Sequence, residues 1–382
     1  MSAFITHISS FLPNGPIDND TMESVLGLVN GKRSRARALV LRSNGIKNRH
    51  YAIDPASGQQ THTNAQLTAE AVRRLLDAVK LGVDEVPLLA CGTATPDQLM
   101  PAHGFMTQGE LKAPPAEVFT VAGSCTSSMS ALRYATIAVG SGQVPRAVVT
   151  GSELCSALMH ARHFRPELDD RIAALEKEPR IAFEYEFLRW MLSDGAGAVL
   201  VEPEARQRSA MPVLKIHWVD SISFAGQLDT CMYHLARKRE DGSTETWKQV
   251  EPSEWLKSGF FNLGQDSRML GENIGRVMGD SLAMVMKKRK LGGREVDWLL
   301  PHISSAFFRS EVKSQAERVG LFVPEERVFT NLAEVGNVGA ASVFLMLEEL
   351  VTSGRAKKGE KILCSIPESA RFNASYALLE VM

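Results

Sequence analysis

Short apolar runs alternate with longer helix-like segments along most of the chain. Six runs of mainly aliphatic residues predict strands at 86–90, 147–150, 198–202, 213–219, 298–300 and 361–366. Four longer segments predict helices at 68–80, 126–139, 272–290 and 340–352. Strands that alternate with helices in this way are typical of a layered α/β protein.

The predicted helix 126–139 has small or apolar residues on nearly every face. Met129, Leu132 and Val139 follow the helical repeat, but most positions between them are also small or apolar. A helix without a polar face is buried on nearly every side. We therefore expect the rest of the fold to enclose it.

The length of 382 residues suits two medium domains or one fold built from two similar halves. Each half offers a strand leading into a helix that begins with small residues, at 123–125 in the first and 336–339 in the second. We predict halves at 1–205 and 206–382, with a charged helical insertion at about 162–190. The pattern does not by itself demonstrate a duplication.

Composition removes several classes of protein from consideration. The 43 basic and 44 acidic residues nearly cancel, so the overall charge gives no reason to expect nucleic acid as a partner. The sequence shows neither a secretory leader nor a run of some eighteen apolar residues, and we expect a cytoplasmic protein with no membrane span. Five widely spaced cysteines without a C-x-x-C pair argue against a disulfide framework and a zinc site.

The strongest local feature is a predicted strand that runs into Gly123-Ser124-Cys125 and then into the helix 126–139. A cysteine at a helix amino terminus lies near partial positive charge and free N–H groups. This setting favours the thiolate, so we expect a lowered cysteine pKa and a nucleophilic Cys125. Alternatively, Cys125 is a small buried hydrophobe in a turn.

Two further polar residues follow predicted strands or precede predicted helices. His302 comes directly after an apolar strand and Pro301, which is a common position for a side chain that faces a site. Asn337 stands between two glycines just before the helix 340–352. Taken singly, the histidine fits a structural hydrogen bond and the asparagine fits a helix cap.

Taken in order, these segments resemble the β-ketoacyl-acyl carrier protein (ACP) synthase III family of the thiolase-like superfamily. The six matching segments are spread over most of the chain: residues 44–49, the cysteine turn, residues 148–153 and 194–198, the Pro301-His302 pair and the Gly336-Asn337 loop. The resemblance implies a five-layer αβαβα fold of two related halves, usually a homodimer. It makes the segment 194–198 a structural turn entering a core strand.

The same resemblance implies an acyltransferase that works by a ping-pong cycle. Cys125 is the implied nucleophile, and His302 and Asn337 are the implied pair that binds the second thioester. The implied substrates are acyl thioesters of coenzyme A or ACP, which bring their own phosphopantetheine, so no separate cofactor is expected. The extender loses carbon dioxide or a proton, and the carbanion attacks the acyl group on Cys125.

The chain departs from the family pattern at two places. Ile303, Ser304 and Ser305 stand where simple fatty-acid-initiating members usually carry a second asparagine, so the hydrogen bonds behind His302 must differ. The glycine-rich turn that lends an oxyanion N–H near the carboxyl end is also missing. We take Ser369 as the candidate donor there.

Glu153 follows the predicted strand 147–150 and begins an unusual run that extends to Phe164. The run is similar to the ketosynthase/cyclase branch that forms dialkylresorcinols, in which ring closure follows condensation. In that interpretation Glu153 assists proton removal. The alternative is a buried acid satisfied by backbone donors.

Other functions stay open beside this one. The chain could be a simple initiating synthase without cyclase activity, an acyltransferase that has lost condensation, or an inactive partner subunit of a heterodimer. The presence of all three candidate catalytic residues argues against the last. The pair His160 and His163 lacks further ligands for a metal site. The basic run 287–290 is a solvated helix end or a docking site for an acidic carrier protein.

Overall fold

The computed structural model describes residues 2–31, 33–34, 37–163, 187–239 and 241–382. The strands are β1 (Ala3–Phe11), β2 (Ile17–Asp18), β3 (Asn48–Arg49), β4 (Leu88–Thr93), β5 (Glu117–Ala122), β6 (Ala147–Glu153), β7 (Gly195–Glu202), β8 (Leu214–Ser223), β9 (Met232–Tyr233), β10 (Ala236–Lys238), β11 (Thr244–Thr246), β12 (Gly264–Gln265), β13 (Trp298–Pro301), β14 (Lys361–Glu368) and β15 (Asn373–Val381). The α-helices are α1 (Met22–Leu26), α2 (Arg37–Asn44), α3 (Asn64–Val79), α4 (His103–Leu111), α5 (Ser127–Gly140), α6 (Ser156–Met159), α7 (Glu254–Lys257), α8 (Ser267–Arg289), α9 (Arg309–Arg318), α10 (Leu332–Val335) and α11 (Ser342–Thr352). Short 3-10 helices are found at Val29–Gly31, Val83–Glu85, Ala161–His163, Trp247–Gln249, Ala306–Phe308, Glu325–Arg327 and Gly339–Ala341.

All ten predicted strands and helices are confirmed, with their ends shifted by a few residues. Two long strands, β1 and β15, were not predicted from the apolar runs. Both contain polar residues such as Thr6 and Ser375 among the apolar ones, yet these polar side chains are buried. Because strands inside a layered fold are covered on both faces, a polar residue there does not mark an exposed face.

A nine-stranded mixed sheet runs through the molecule in the order β13-β14-β15-β8-β1-β7-β6-β4-β5. Strands β5, β4 and β6 are parallel, and β7 and β1 continue this part of the sheet antiparallel. The other part contains β8, β15, β14 and β13. The two parts meet where Ala3 to Ile5 pair with Leu214 to Ile216, three residues on each strand.

Helices form the remaining layers. Helices α5 and α11 share one core cluster with strand residues from both parts of the sheet, including Val149 and Ile362, so they lie between the two parts. Helix α3 packs on the outer face of the first part, and α8 packs on the outer face of the second. The result is the predicted five-layer αβαβα order. The apolar helix α5 is enclosed, as expected from its sequence.

Close backbone packing joins these layers around the start of α5. A Cβ atom added at Gly151, in the middle of β6, would lie 2.4 Å from the carbonyl oxygen of Ala340 and 2.8 Å from Cβ of Ser128. Real Cβ atoms do not approach backbone oxygens so closely, so β6 can contact both α5 and the 3-10 helix before α11 only because this residue is glycine.

The described structure does not test two predictions about domain organisation, the helical insertion and the division into two halves. The helical insertion predicted at about 162–190 lies largely outside the described residues, since residues 164–186 are not among them. The division into halves at residue 205 stays a prediction, although it falls in the connection between β7 and β8. Among the described residues, no helix is both long enough and apolar enough to cross a bilayer.

Leu132 provides a test of the central layer, because its side chain is 1% exposed and packs in the shared core cluster. Replacing Leu132 by alanine should lower the free energy of unfolding by about 2–5 kcal/mol, through lost burial and the cavity left behind. The neighbouring exposed Arg133 on α5 is the matched control. Arg133→Ala should change the free energy of unfolding by less than about 0.5 kcal/mol. Denaturant unfolding of both variants checks this, and equal effects would contradict the layer assignment.

Candidate active site

One cavity brings together all four residues that the sequence proposed as catalytic. It holds about 930 Å³ including its open mouth, and Cys125, Glu153, His302 and Asn337 all line it. The cysteine and the glutamate come from the first part of the fold, and the histidine and the asparagine come from the second. The cavity therefore lies where the two parts meet.

Cys125 lies just before helix α5, with Thr126 as the residue that caps the helix. Its side chain is partly exposed to the cavity, and the Ser124 hydroxyl lies 3.6 Å from Sγ. The backbone enters this position from the parallel strand β5, whose last residue is Ala122. The strand, turn and helix predicted around the cysteine are thus all present.

The predicted lowering of the cysteine pKa is wrong for this structure. Burial raises the pKa of the Cys125 thiol to about 12, and the negative charges of Glu368 and Glu153 raise it further, while the Ser124 hydroxyl lowers it. Desolvation of the thiolate therefore outweighs the effect expected from the helix terminus. At neutral pH the resting thiol keeps its proton, so a base must receive that proton when the sulfur reacts.

His302 lines the same cavity as Cys125. It follows β13, and its backbone N–H donates to the Ser365 carbonyl of β14 at 2.8 Å, which fixes the end of the strand beside the cavity. Burial lowers the pKa of His302 to about 4, so the imidazole is neutral at pH 7. A neutral imidazole has one nitrogen that accepts a proton and one that donates.

The hydrogen bonds around Asn337 determine which side-chain atom is available. Its backbone N–H donates to Met191 O, and its backbone carbonyl accepts from Ser193 N–H, both at 2.9 Å. Side-chain Oδ1 accepts the N–H of Gly339 at 2.9 Å. Because Oδ1 is occupied and Nδ2 has no acceptor among the described residues, the amide is oriented to donate from Nδ2 to a molecule in the cavity.

Glu153 ends β6 and is 1% exposed. Its carboxylate accepts the Thr95 hydroxyl at 2.7 Å, the Ala94 N–H at 3.2 Å and the Ala340 N–H at 3.1 Å. Burial nevertheless raises the pKa of Glu153 to about 7. These donors agree with the interpretation of Glu153 as a buried acid satisfied by its surroundings, and its role as a base stays a prediction.

The rest of the cavity wall is largely apolar, and sequence reasoning missed most of it. Leu270, Ile274 and Met278 from α8 form one side of it. They recur at four-residue steps, so the helical repeat could have indicated a common face, but not that this face borders a site.

Residues 224–239 and 241–266, which we call the cover segment, contribute Met232, His234, Leu263 and Gln265 to the cavity wall. Nothing in the sequence pattern marked the cover segment as part of the site.

Two remaining predictions concern charged or polar residues near helix and strand ends. In the basic run, Lys288 and Arg289 bind the buried carboxylate of Asp220 at 2.7 Å and 2.6 Å. These two ion pairs support the interpretation of the run as a structural helix end for Lys288 and Arg289, which are half of its residues. Ser369, the candidate oxyanion donor, lines the cavity in the turn after β14.

Asp194 supports the predicted turn into a core strand. Its carboxylate accepts the N–H groups of Ala52 and Ser156 at 2.7 Å and 2.8 Å, and β7 begins at the next residue. Burial raises the pKa of Asp194 to about 6.

Comparison with known proteins shows similarity to β-ketoacyl-ACP synthase III in both sequence and fold. Residues 286–366 match the family described as 3-oxoacyl-[acyl-carrier-protein (ACP)] synthase III C terminal. The chain is 24% identical to β-ketoacyl-ACP synthase III of Hyphomonas neptunium over 361 residues, which covers 94% of each chain.

Solved structures show the same fold. A 3-oxoacyl-ACP synthase III from Pseudomonas aeruginosa has a TM-score of 0.70 at 20% identity, covering 100% of this chain and 98% of the other. A variant of OleA from Xanthomonas campestris has a TM-score of 0.73 at 18% identity, covering 99% and 98%.

The chain has the thiolase-like fold of these solved structures. In sequence it is similar to β-ketoacyl-ACP synthase III proteins, which are acyltransferases that condense thioesters. The resemblance stated from the sequence motifs is thereby confirmed. The dialkylresorcinol branch stays a prediction.

The pKa of Glu153 leads to a pH-dependent stability. The folded protein keeps the proton of Glu153 up to about pH 7, whereas the unfolded chain releases it near 4.5. Between these pH values the folded state binds more protons than the unfolded chain. The free energy of unfolding therefore falls as the pH rises from about 4.5 to about 7.

Glu153→Gln removes the titration. Between pH 5 and pH 8 the variant should gain up to about 3 kcal/mol relative to wild type in the free energy of unfolding. Denaturant unfolding at both pH values measures the difference. A constant difference between the two proteins would contradict the raised pKa.

Proposed function

We propose that the chain is a ketosynthase in which Cys125 carries the first acyl group and His302 with Asn337 activates the second thioester. The observation that carries this proposal is the meeting of these three side chains in one cavity with a largely apolar wall. Apolar walls suit alkyl chains, and few polar groups are left to act on the thioester. The relatives' names point to acyl carrier protein, and we infer substrates attached to coenzyme A or ACP through phosphopantetheine.

The first half-reaction transfers the acyl group to the enzyme. Cys125 Sγ attacks the thioester carbonyl, and the neutral His302 imidazole accepts the thiol proton. A new carbon–sulfur bond forms, and the bond to the departing thiol breaks. The imidazolium returns its proton to that thiol, so both the enzyme's charge and the histidine's protonation state are restored.

The second half-reaction forms a carbon–carbon bond. The extender thioester loses carbon dioxide or a proton, and negative charge moves onto its thioester oxygen. Hydrogen bonds from the His302 N–H and from Asn337 Nδ2 stabilise this enolate. The carbanion then attacks the acyl carbonyl on Cys125, and the bond from that carbonyl carbon to Sγ breaks. The cysteine thiolate takes a proton from solvent after decarboxylation, or from the base that received the extender's proton.

Ring closure to a dialkylresorcinol-type product is the finer part of the proposal. It would follow condensation if a β-ketoacyl extender stays in the cavity, with Glu153 assisting proton removal. A pKa of about 7 allows this carboxyl group to hold or release a proton at neutral pH. The alternative is an initiating synthase III that releases a linear product, and product analysis separates the two.

We also propose a homodimer that covers the outer edge of β5. This strand ends the sheet, and its outer edge pairs with no other strand among the described residues. The two helices that contact β5 carry exposed apolar side chains, Phe105 on α4 at 52% and Ile137 on α5 at 58% exposure. An apolar strand edge of this kind fits a second copy of the same strand, related by a twofold axis.

Intact-protein mass spectrometry tests the nucleophile. Incubation with a panel of acyl-coenzyme A and acyl-ACP thioesters should add one acyl mass to wild type and none to Cys125→Ala. Cys155→Ala is the matched control, because Cys155 lines the same cavity but is buried, whereas Cys125 is partly exposed. The control should still gain the acyl mass.

Subsequent addition of a malonyl or β-ketoacyl extender reports on the product. Wild type should release a condensed product and return to its original mass. A cyclised product whose yield falls in Glu153→Gln would support the resorcinol branch, and an unchanged product profile in that variant would refute a role for Glu153. If no thioester modifies wild type, the proposed function is wrong and the inactive-subunit alternative is favoured.

Size-exclusion chromatography with light scattering tests the dimer. Wild type should have twice the mass of one chain at micromolar concentration, and Ile137→Asp should shift it toward the monomer by placing a charge in the apolar contact. Phe322→Asp is the control, because Phe322 is similarly exposed, at 54%, but lies outside the β5 edge. A monomeric wild type would contradict the proposed dimer.

A further inference from the structure

Gln265 and Ser369 form a hydrogen-bonded polar pair on the cavity wall. Gln265 Nε2 donates to Ser369 Oγ at 2.9 Å, and both residues line the cavity. The glutamine is 4% exposed, so its amide is removed from bulk solvent. A buried amide needs such a partner, because an unsatisfied polar group costs about 1–3 kcal/mol.

The backbone around Gln265 holds the amide in this place. Gln265 pairs with Met232 across the two-stranded β12-β9 ribbon. The N–H groups of Cys231 and Met232 donate to the carbonyl of Ala370 at 2.8 Å and 3.2 Å. The ribbon of the cover segment is thus attached directly to the turn that contains Ser369.

The geometry decides the direction of the Ser369 hydroxyl. An amide nitrogen can only donate, so Ser369 Oγ is the acceptor in this hydrogen bond, and its own proton is left for another acceptor. Among the described residues no protein atom accepts it. Because Ser369 faces the cavity, the hydroxyl can donate to a bound molecule.

Two observations place this turn on the Cys125 side of the cavity. The charge of Glu368, directly before Ser369, raises the pKa of the Cys125 thiol, which requires the two residues to be near each other. Just after the turn, Asn373 Nδ2 donates to the hydroxyl of Thr126 at 2.9 Å. Thr126 follows Cys125 directly, so both ends of the turn are close to the nucleophile.

We propose that the Ser369 hydroxyl donates a hydrogen bond to the carbonyl oxygen of the acyl group while Cys125 attacks it, and that Gln265 positions this hydroxyl. The inference rests on the proposed function. During attack the bond from Sγ to the carbonyl carbon forms, and the carbonyl π electrons move onto the oxygen. When the intermediate collapses, these electrons re-form the carbonyl and the bond to the departing thiol breaks, so no further reactant is needed.

The consequence is that the cover segment contributes to catalysis as well as to the shape of the cavity. Ser369 would touch the reacting oxygen, whereas Gln265 would act only through Ser369. Loss of the glutamine amide should therefore matter only while the hydroxyl is present. This dependence separates a positioning role from a merely structural one.

Rapid-quench mass spectrometry of Cys125 acylation under single-turnover conditions tests the proposal. Ser369→Ala should reduce the maximal acylation rate by about 100-fold, the usual cost of one oxyanion donor, with little change in the thioester concentration that gives half the maximal rate. Ser369→Thr should recover most of the rate, because it keeps the hydroxyl. Gln265→Met should reduce the rate by about 10-fold in wild type and should have no further effect in the Ser369→Ala background.

Gln249→Met is the matched control for the glutamine. Gln249 lies in the same cover segment and accepts the N–H of Thr246 at 2.7 Å, but it does not line the cavity. Its replacement should leave acylation unchanged. Thermal unfolding of each variant shows whether the chain is folded, and the recovery by threonine keeps the test valid if alanine alone disturbs the turn.

The possible failures are distinguishable. If wild type acylates and Ser369→Ala acylates equally fast, the inference is wrong and the proposed function stands. If the Gln265 and Ser369 effects multiply independently, Gln265 does not act through Ser369 and its positioning role is wrong. If wild type is never acylated by any thioester in the panel, the proposed function itself fails.

Discussion

The close contact between β6, α5 and the 337–341 loop is the constraint on which the site depends. Gly151 lets β6 touch the Ala340 carbonyl, and Glu153, two residues along, accepts the Ala340 N–H at 3.1 Å. These contacts fix the loop that carries Asn337 against the strand that leads to Glu153. A larger residue at Gly151 would separate the layers and move the two parts of the site apart.

Burial defines the chemistry of the cavity once these layers are in contact. It raises the pKa of the Cys125 thiol to about 12 and lowers the pKa of His302 to about 4. Both shifts favour the neutral forms, so the resting site holds a thiol and an uncharged imidazole instead of an ion pair. In the proposed acyl transfer, the thiol would therefore have to lose its proton as the sulfur attacks.

The cover segment connects the cavity wall to the turn of Ser369. The central layers position the Cys125, His302 and Asn337 side chains, while the cover segment contributes Met232, His234, Leu263 and Gln265 to the wall and donates two hydrogen bonds to the Ala370 carbonyl. Functional differences between proteins of one fold commonly lie in such surface segments, because the scaffold tolerates changes there without loss of the core. Gln265 attaches the segment to Ser369, in a turn whose far end contacts Thr126 beside Cys125.

The sequence by itself determined the layered α/β class, ten helices and strands and the family resemblance, and it indicated Cys125, His302 and Asn337 as candidate site residues, because short-range periodicity and local motifs carry that information. Only the tertiary structure decided the burial of β1 and β15, the raised pKa of Cys125 and the pairing of Gln265 with Ser369. Each of these depends on contacts between residues far apart in the chain. Desolvation in particular follows from what surrounds a group in space, and a helix terminus seen in the sequence could not show that burial would outweigh it.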